Sequence, residues 1–305
     1  MRMRDLILVL ATLGGMLLGG FIPETADRFK DWTPYLLMGL LFISFLRLDL
    51  SALVRPQPGS WLEVMVWFLA KLVILPIAVW ALFRWLWPEW ALAALVLSAV
   101  STGVSCPFYA TLLGANLPRV VLVVVTTSLA LPLTLPALIR LLTGTETEVP
   151  FWPMFRLLSL LIFLPAAAMA LCRRWVPSLV EALGRFSYPL SLTLMFVISA
   201  IVFAPIGQHF QADPGNFLEA VALSVVLCGV YLAVGLWLPK LLPGRLTPLT
   251  GMVCLIYINN VLGVVFAARF LDFNSVLLCG CYLFPTYVAL LPLRYLRERL
   301  AWVGA

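Results

Sequence analysis

The chain has 305 residues, of which 63% are hydrophobic and 11% charged, with a formal net charge of +6 and a mean hydropathy of +1.05. Soluble domains carry about 25% charged residues, so this composition excludes a water-soluble enzyme and a disordered chain and assigns the protein to lipid. The apolar runs are continuous rather than alternating, which selects helices over a membrane barrel, and the basic excess is no sign of nucleic-acid binding.

The hydrophobic runs predict about ten spans, near residues 6–22, 33–48, 61–86, 90–113, 117–141, 151–172, 187–207, 217–239, 248–270 and 274–294. Arg2 and Arg4 before the first span resemble a secretory signal. No small-residue cleavage site follows, so this span is read as a membrane helix.

The third span holds Lys71, ten residues after Trp61. At 1.5 Å per residue this is roughly 15 Å into a core of about 30 Å, close to the midplane. A lysine there costs at least about 2.5–3.5 kcal/mol, which makes it a functional-site candidate. Glu63 is two turns earlier, too far to neutralise it.

The fourth span contains Ser98, Ser101, Thr102, Gly103, Ser105, Cys106 and Pro107. Pro107 lacks a backbone donor and its ring would clash with the Gly103 carbonyl in a continuous helix. Both a local break and a simple proline kink satisfy these residues. Thr126, Thr127 and Ser128 in the fifth span read as small residues for close helix packing.

Residues 173–186, RRWVPSLVEALGRF, carry apolar side chains at helical spacing and are predicted to form a separate short helix in the cytoplasmic interface. The ninth span places Asn259 and Asn260 side by side, with Gly263 beyond. Neighbouring helical positions point about 100° apart, so one polar face cannot easily serve both amides, whereas an unwound segment can. Plain interhelical hydrogen bonding is the alternative.

The six cysteines lie in or beside apolar runs, and His209, expected in an outer loop, is the sole histidine. They read as small buried hydrophobes, and neither a metal nor a cofactor is expected. No intramembrane pair of carboxylates or nucleophile and base appears, which argues against an enzyme. A channel filter motif is also missing.

Orientation follows from the loops. With the N-terminus inside, Arg2, Arg4, Arg47, Arg55, Arg119, Arg173, Arg174, Arg185, Lys240, Arg245, Arg294, Arg297 and Arg299 are cytoplasmic. Arg28, Lys30, Arg84, Arg140, Arg156 and Arg269 are outside, beside acidic residues such as Glu24, Glu146 and Glu148. Both termini are therefore expected in the cytoplasm, and the short loops favour a bacterial inner membrane. Ten spans divide into two halves of opposite orientation, a common transporter plan, and the polar interruptions fall at corresponding places in the two halves.

Three stretches carry a resemblance to a known family: SCPFYATLLGANLPRVVLVVVTTSLALPLTLP from Ser105, INNVLGVVFAARF from Ile258, and KLVILPIAVW from Lys71. The sequence resembles the bile acid:sodium symporter (BASS) superfamily. The resemblance implies an all-α polytopic fold of ten helices in two inverted five-helix repeats, with broken helices 4 and 9 crossing. It implies one transmembrane domain divided into a panel (about 1–50 and 151–207) and a core (about 58–141 and 216–294), whose relative motion alternates access.

The departures concern sodium. The family's third-span glutamine, a sodium ligand, falls on Lys71, and its ninth-span glutamate falls near Cys254. The ninth span contains no acid. An ammonium about 4 Å from a bound cation would repel it by several kcal/mol, so the paired sodium sites are expected to be absent. The expectation is a secondary transporter for a small organic anion, with Lys71, Thr102, Ser105, Asn259 and Asn260 binding substrate and Gly103 and Pro107 breaking the helix. Proton coupling, a sodium symporter with remodelled sites and an auxin-efflux-type carrier remain open alternatives.

Overall fold

The computed structural model describes residues 3–46, 60–144, 150–241 and 247–303. Arg2, Arg47, Arg55, Arg245, Glu146 and Glu148 lie outside the described residues, as does the Glu63 side chain. Among the described residues the fold is helical, with one isolated β-bridge and no strand.

Six helices among the described residues are long and apolar enough to cross a membrane: Met65–Leu86, Leu117–Thr143, Phe151–Trp175, Pro177–Ala212, Pro214–Lys240 and Phe273–Arg297. The first two predicted spans form α1 (Met3–Phe21) and α2 (Thr33–Leu46). The third comprises α3 (Ser60–Leu69), a π-helical turn at Ala70–Ile74 and α4 (Leu75–Leu86). The π-turn has a local cause. Pro76 has no N–H for the Leu72 carbonyl and its ring crowds that carbonyl; a wider turn relieves both.

The fourth span is cut into α5 (Ala91–Ala99) and α6 (Cys106–Leu113). The fifth is α7 (Leu117–Thr143), followed by α8 (Phe151–Trp175), α9 (Pro177–Ala212) and α10 (Pro214–Leu241). The ninth is cut into α11 (Pro248–Ile256) and α12 (Asn260–Phe270). The last runs through α13 (Phe273–Cys281), α14 (Leu283–Val288) and α15 (Leu290–Val303), with single-residue turns at Tyr282 and Ala289.

The separate interfacial helix expected at 173–186 is not what forms. Arg173 and Arg174 end α8, and residues 177–186 begin the 36-residue α9, continuous with the seventh span. Pro177 opens that helix, where its missing donor costs nothing, and good helix formers follow. Pro189 is absorbed within it. His209, expected in a loop, belongs to the last turn of α9, where its ring meets Phe273 and its Nε2 lies 3.2 Å from the Asn216 amide.

Lipid tails give helices no apolar drive to associate, so close packing at small residues replaces it. Helix α1 lies along α9, and α2 packs on both α8 and α9. At Gly19 an added Cβ would collide with the Ala200 carbonyl oxygen. The Arg173 guanidinium donates to the Phe45 and Leu46 carbonyls at 3.0 and 3.2 Å, capping the last turn of α2. A second tight contact joins α10 to α11 through Gly235 and Gly251.

The α1–α9 contact gives a direct prediction. Gly19→Leu should destabilise the protein by about 1–3 kcal/mol, the usual cost of overpacking, and lower the unfolding temperature of detergent-purified protein. Gly20→Ala, next to it and with 4.0 Å to its nearest neighbour, should change it far less.

Candidate functional site

Two helices stop in the middle of the molecule. Helix α5 ends at Ala99, Val100 turns extended (φ −60°, ψ 143°), and the chain becomes helical again at Cys106. Helix α11 ends at Ile256, and Tyr257 and Asn259 have non-helical ψ angles of 74° and 69° before α12 begins at Asn260. The two open segments meet antiparallel at Thr102 and Ile258. The Gly103 N–H donates to the Tyr257 carbonyl at 2.8 Å, and the Asn259 N–H donates to the Ser101 carbonyl at 2.8 Å. Each break thus supplies the other's missing backbone partners, as buried polar groups in lipid require.

Gly103 serves this pairing through its size. Its φ is not positive, but a Cβ there would stand 2.7 Å from the Ile258 oxygen and 3.0 Å from the Tyr257 oxygen. Pro107 is the second residue of α6, where a missing donor costs nothing. It begins the second half-helix and is not a kink within a continuous one.

Side chains satisfy what the pairing leaves over. The Thr102 N–H donates to Thr127 Oγ1 at 3.2 Å, and the Thr127 hydroxyl donates to the Val123 carbonyl at 2.7 Å. Ser128 reaches Ser101 at 3.4 Å. The Thr102 hydroxyl donates to the Cys254 carbonyl at 3.0 Å, and the Tyr282 hydroxyl to the Ile256 carbonyl at 3.1 Å. Lys71 Nζ donates to the Ser98 carbonyl at 2.6 Å, at the negative end of α5. The lysine is 1% exposed, its Nζ stands 5.8 Å from the centroid of the Tyr231 ring, and Tyr231 Oη is 2.8 Å from Ser98 Oγ.

Beside the crossing lies a cavity of about 690 Å³, within the range of small-molecule sites. Ser105, Asn259 and Asn260, at the half-helix starts, line it together with apolar residues such as Leu37, Leu41 and Met195. Tyr257 also lines it and stacks on Tyr109, ring centroids 3.7 Å apart and 7° from parallel. Asn260 is 5% exposed, and neither atom of its amide has a hydrogen-bond partner; the Tyr257 hydroxyl also lacks one. Arg185 of α9 is exposed at the rim, and no Asp or Glu is among the described lining residues.

The expected site residues therefore divide. Ser105, Asn259 and Asn260 line the cavity, whereas Lys71 and Thr102 stand behind the crossing and bond the carbonyl ends of the broken helices. Sequence reasoning assigned Arg185 to an interfacial helix and Thr127 to packing; the continuity of α9 and the Thr102 amide give them other places. It passed over Tyr231 and Tyr282, polar-tipped residues in otherwise apolar spans. All six cysteines are free thiols, and no cluster of metal-ligating side chains occurs among the described residues.

The model of the sodium bile acid symporter family matches residues 35–212, more than half of the chain. The chain belongs to this family of multi-pass membrane transporters. A comparison with curated proteins gives no match.

The role of Thr127 can be measured. Thr127→Val leaves the buried Thr102 N–H unpaired, which should cost about 1–3 kcal/mol. Thr127→Ser keeps the oxygen and should recover most of that loss in thermal unfolding.

Proposed function

We propose that the protein is a secondary transporter of a small organic anion, working by alternating access across the crossed helices. The observation that carries this reading is the wall beside the crossing: a free Asn260 amide, an exposed Arg185 and no carboxylate among the described lining residues. An anion entering there gains a guanidinium and meets no like charge. The starts of α6 and α12 add the positive ends of two helix dipoles. Asn259, Asn260 and Ser105 offer hydrogen bonds, and the apolar wall takes the organic body.

The ten-span, inverted-repeat arrangement belongs to this reading. Helices α1, α2, α8 and α9 form the panel; the two broken helices, with α3, α4, α7, α10 and the last span, form the core. The close contacts of α1 with α9 and of α10 with α11 support two bodies, each held tightly within itself. The rim residues Thr111, Leu117 and Arg185 are on the side of the α6–α7 connection, beside which Arg119 stands in the first turn of α7. By the loop charges this side is cytoplasmic, so the cavity faces inward, in the inner membrane of a bacterial cell.

Detergent-purified protein should be stabilised against heat by small organic carboxylates or sulfonates and not by their neutral amides. Arg185→Gln should weaken that binding roughly ten- to hundredfold, since a charge-assisted hydrogen bond contributes about 1.5–3 kcal/mol. Equal stabilisation by anions and neutral analogues would refute the reading.

A further inference from the structure

Four half-helix ends meet at the crossing. The cavity lies beside the two starts, lined there by Ser105, Pro107, Asn259 and Asn260. No residue of α5 or α11 lines it, and their carbonyl ends are where a carried cation would gain most from the helix dipoles. Four carbonyls at or next to those ends already have donors. Lys71 Nζ takes Ser98, the Thr102 hydroxyl takes Cys254, the Tyr282 hydroxyl takes Ile256, and the Gly103 N–H takes Tyr257.

The sequence agrees with the geometry. A carried sodium ion wants several oxygens and an anionic ligand, and residues 247–270 contain no Asp or Glu. The residues present do not suit the ion named in the family's description. They suit the lysine side chain already in place. Lys71 makes a 2.6 Å bond to the helix end, faces the Tyr231 ring, and has no carboxylate partner among the described residues. Lys71 is the second residue of the π-turn at Ala70–Ile74.

Resting on the transporter reading above, we propose that Lys71, held protonated throughout the cycle, is a tethered replacement for the coupling cation, which makes the protein a voltage-driven uniporter exporting organic monoanions. A cation that never leaves contributes its charge in both halves of the cycle, so no ion gradient does work on it. One negative charge then crosses per turnover. Arg185 belongs to the panel and stays behind when the core moves, so a bound monoanion balances the Lys71 charge and a dianion over-balances it. An inside-negative membrane drives such an anion outward, with an equilibrium ratio of roughly fifty-fold per 100 mV.

The test uses the full-length protein in liposomes with three labelled monoanions, benzenesulfonate, taurocholate and pyruvate, and the dianion 1,3-benzenedisulfonate. Sulfonates stay ionised across the working pH range, so a proton cannot accompany them as the neutral acid. In sodium-free buffer, a valinomycin–potassium potential, inside positive, should accumulate at least one monoanion toward roughly fifty-fold per 100 mV, with little uptake of the dianion. With voltage clamped to zero, neither a sodium nor a pH gradient should produce accumulation. Lys71→Gln should lose the sodium-free, voltage-driven accumulation. A variant that transports as the wild type does overturns the role of Lys71. Wild-type accumulation driven by sodium or protons at zero voltage overturns the proposal and leaves the transporter reading standing. Transport of none of the three monoanions overturns both.

Discussion

The structure depends on one constraint: backbone groups opened inside lipid must find partners inside the protein. Two helices break in the middle of the molecule, with a cavity on one side of the crossing. Either break alone would strand several N–H and C=O groups, each costing kilocalories. Placed antiparallel, they repair one another through Thr102 and Ile258, and little else could. Gly103 permits the approach, Thr127 covers the remaining amide, and the half-helices take their directions from the pairing.

The crossing also separates charge. The cavity lies beside its amide ends, whereas no residue of α5 or α11 lines it, so the positive and negative helix ends are set apart. The first carries free polar groups, Asn260 above all. The second is filled by Lys71, Thr102 and Tyr282. A buried lysine, costly by itself, has a carbonyl and an aromatic face to offset its desolvation.

How much of this was legible in the sequence differs by residue. Pro107 and the paired amides at 259 and 260 marked the breaks, because polar or donor-less residues in an apolar run have few other uses. Lys71 was visible as a charge at depth. Its direction was not, because depth along a span does not say which side of the crossing a side chain meets. Arg185 was misplaced because an amphipathic stretch after two arginines reads as interfacial; its continuity with the seventh span is a matter of tertiary packing. Tyr231 and Tyr282 look like apolar filling until the carbonyls that their hydroxyls serve have been placed.

The mutual repair has a consequence for synthesis. Thr102 and the Cys254 carbonyl that its hydroxyl reaches are 152 residues apart. At about 5–20 residues per second the ribosome needs roughly ten to thirty seconds to supply the second break after the first. During that interval the first open segment has no partner for the Gly103 N–H or the Ser101 carbonyl. Biogenesis therefore passes through a half-made intermediate that must be sheltered at the insertion machinery or held temporarily as a continuous helix. The last third of the chain does more than add spans: its arrival allows the first half to take its final shape.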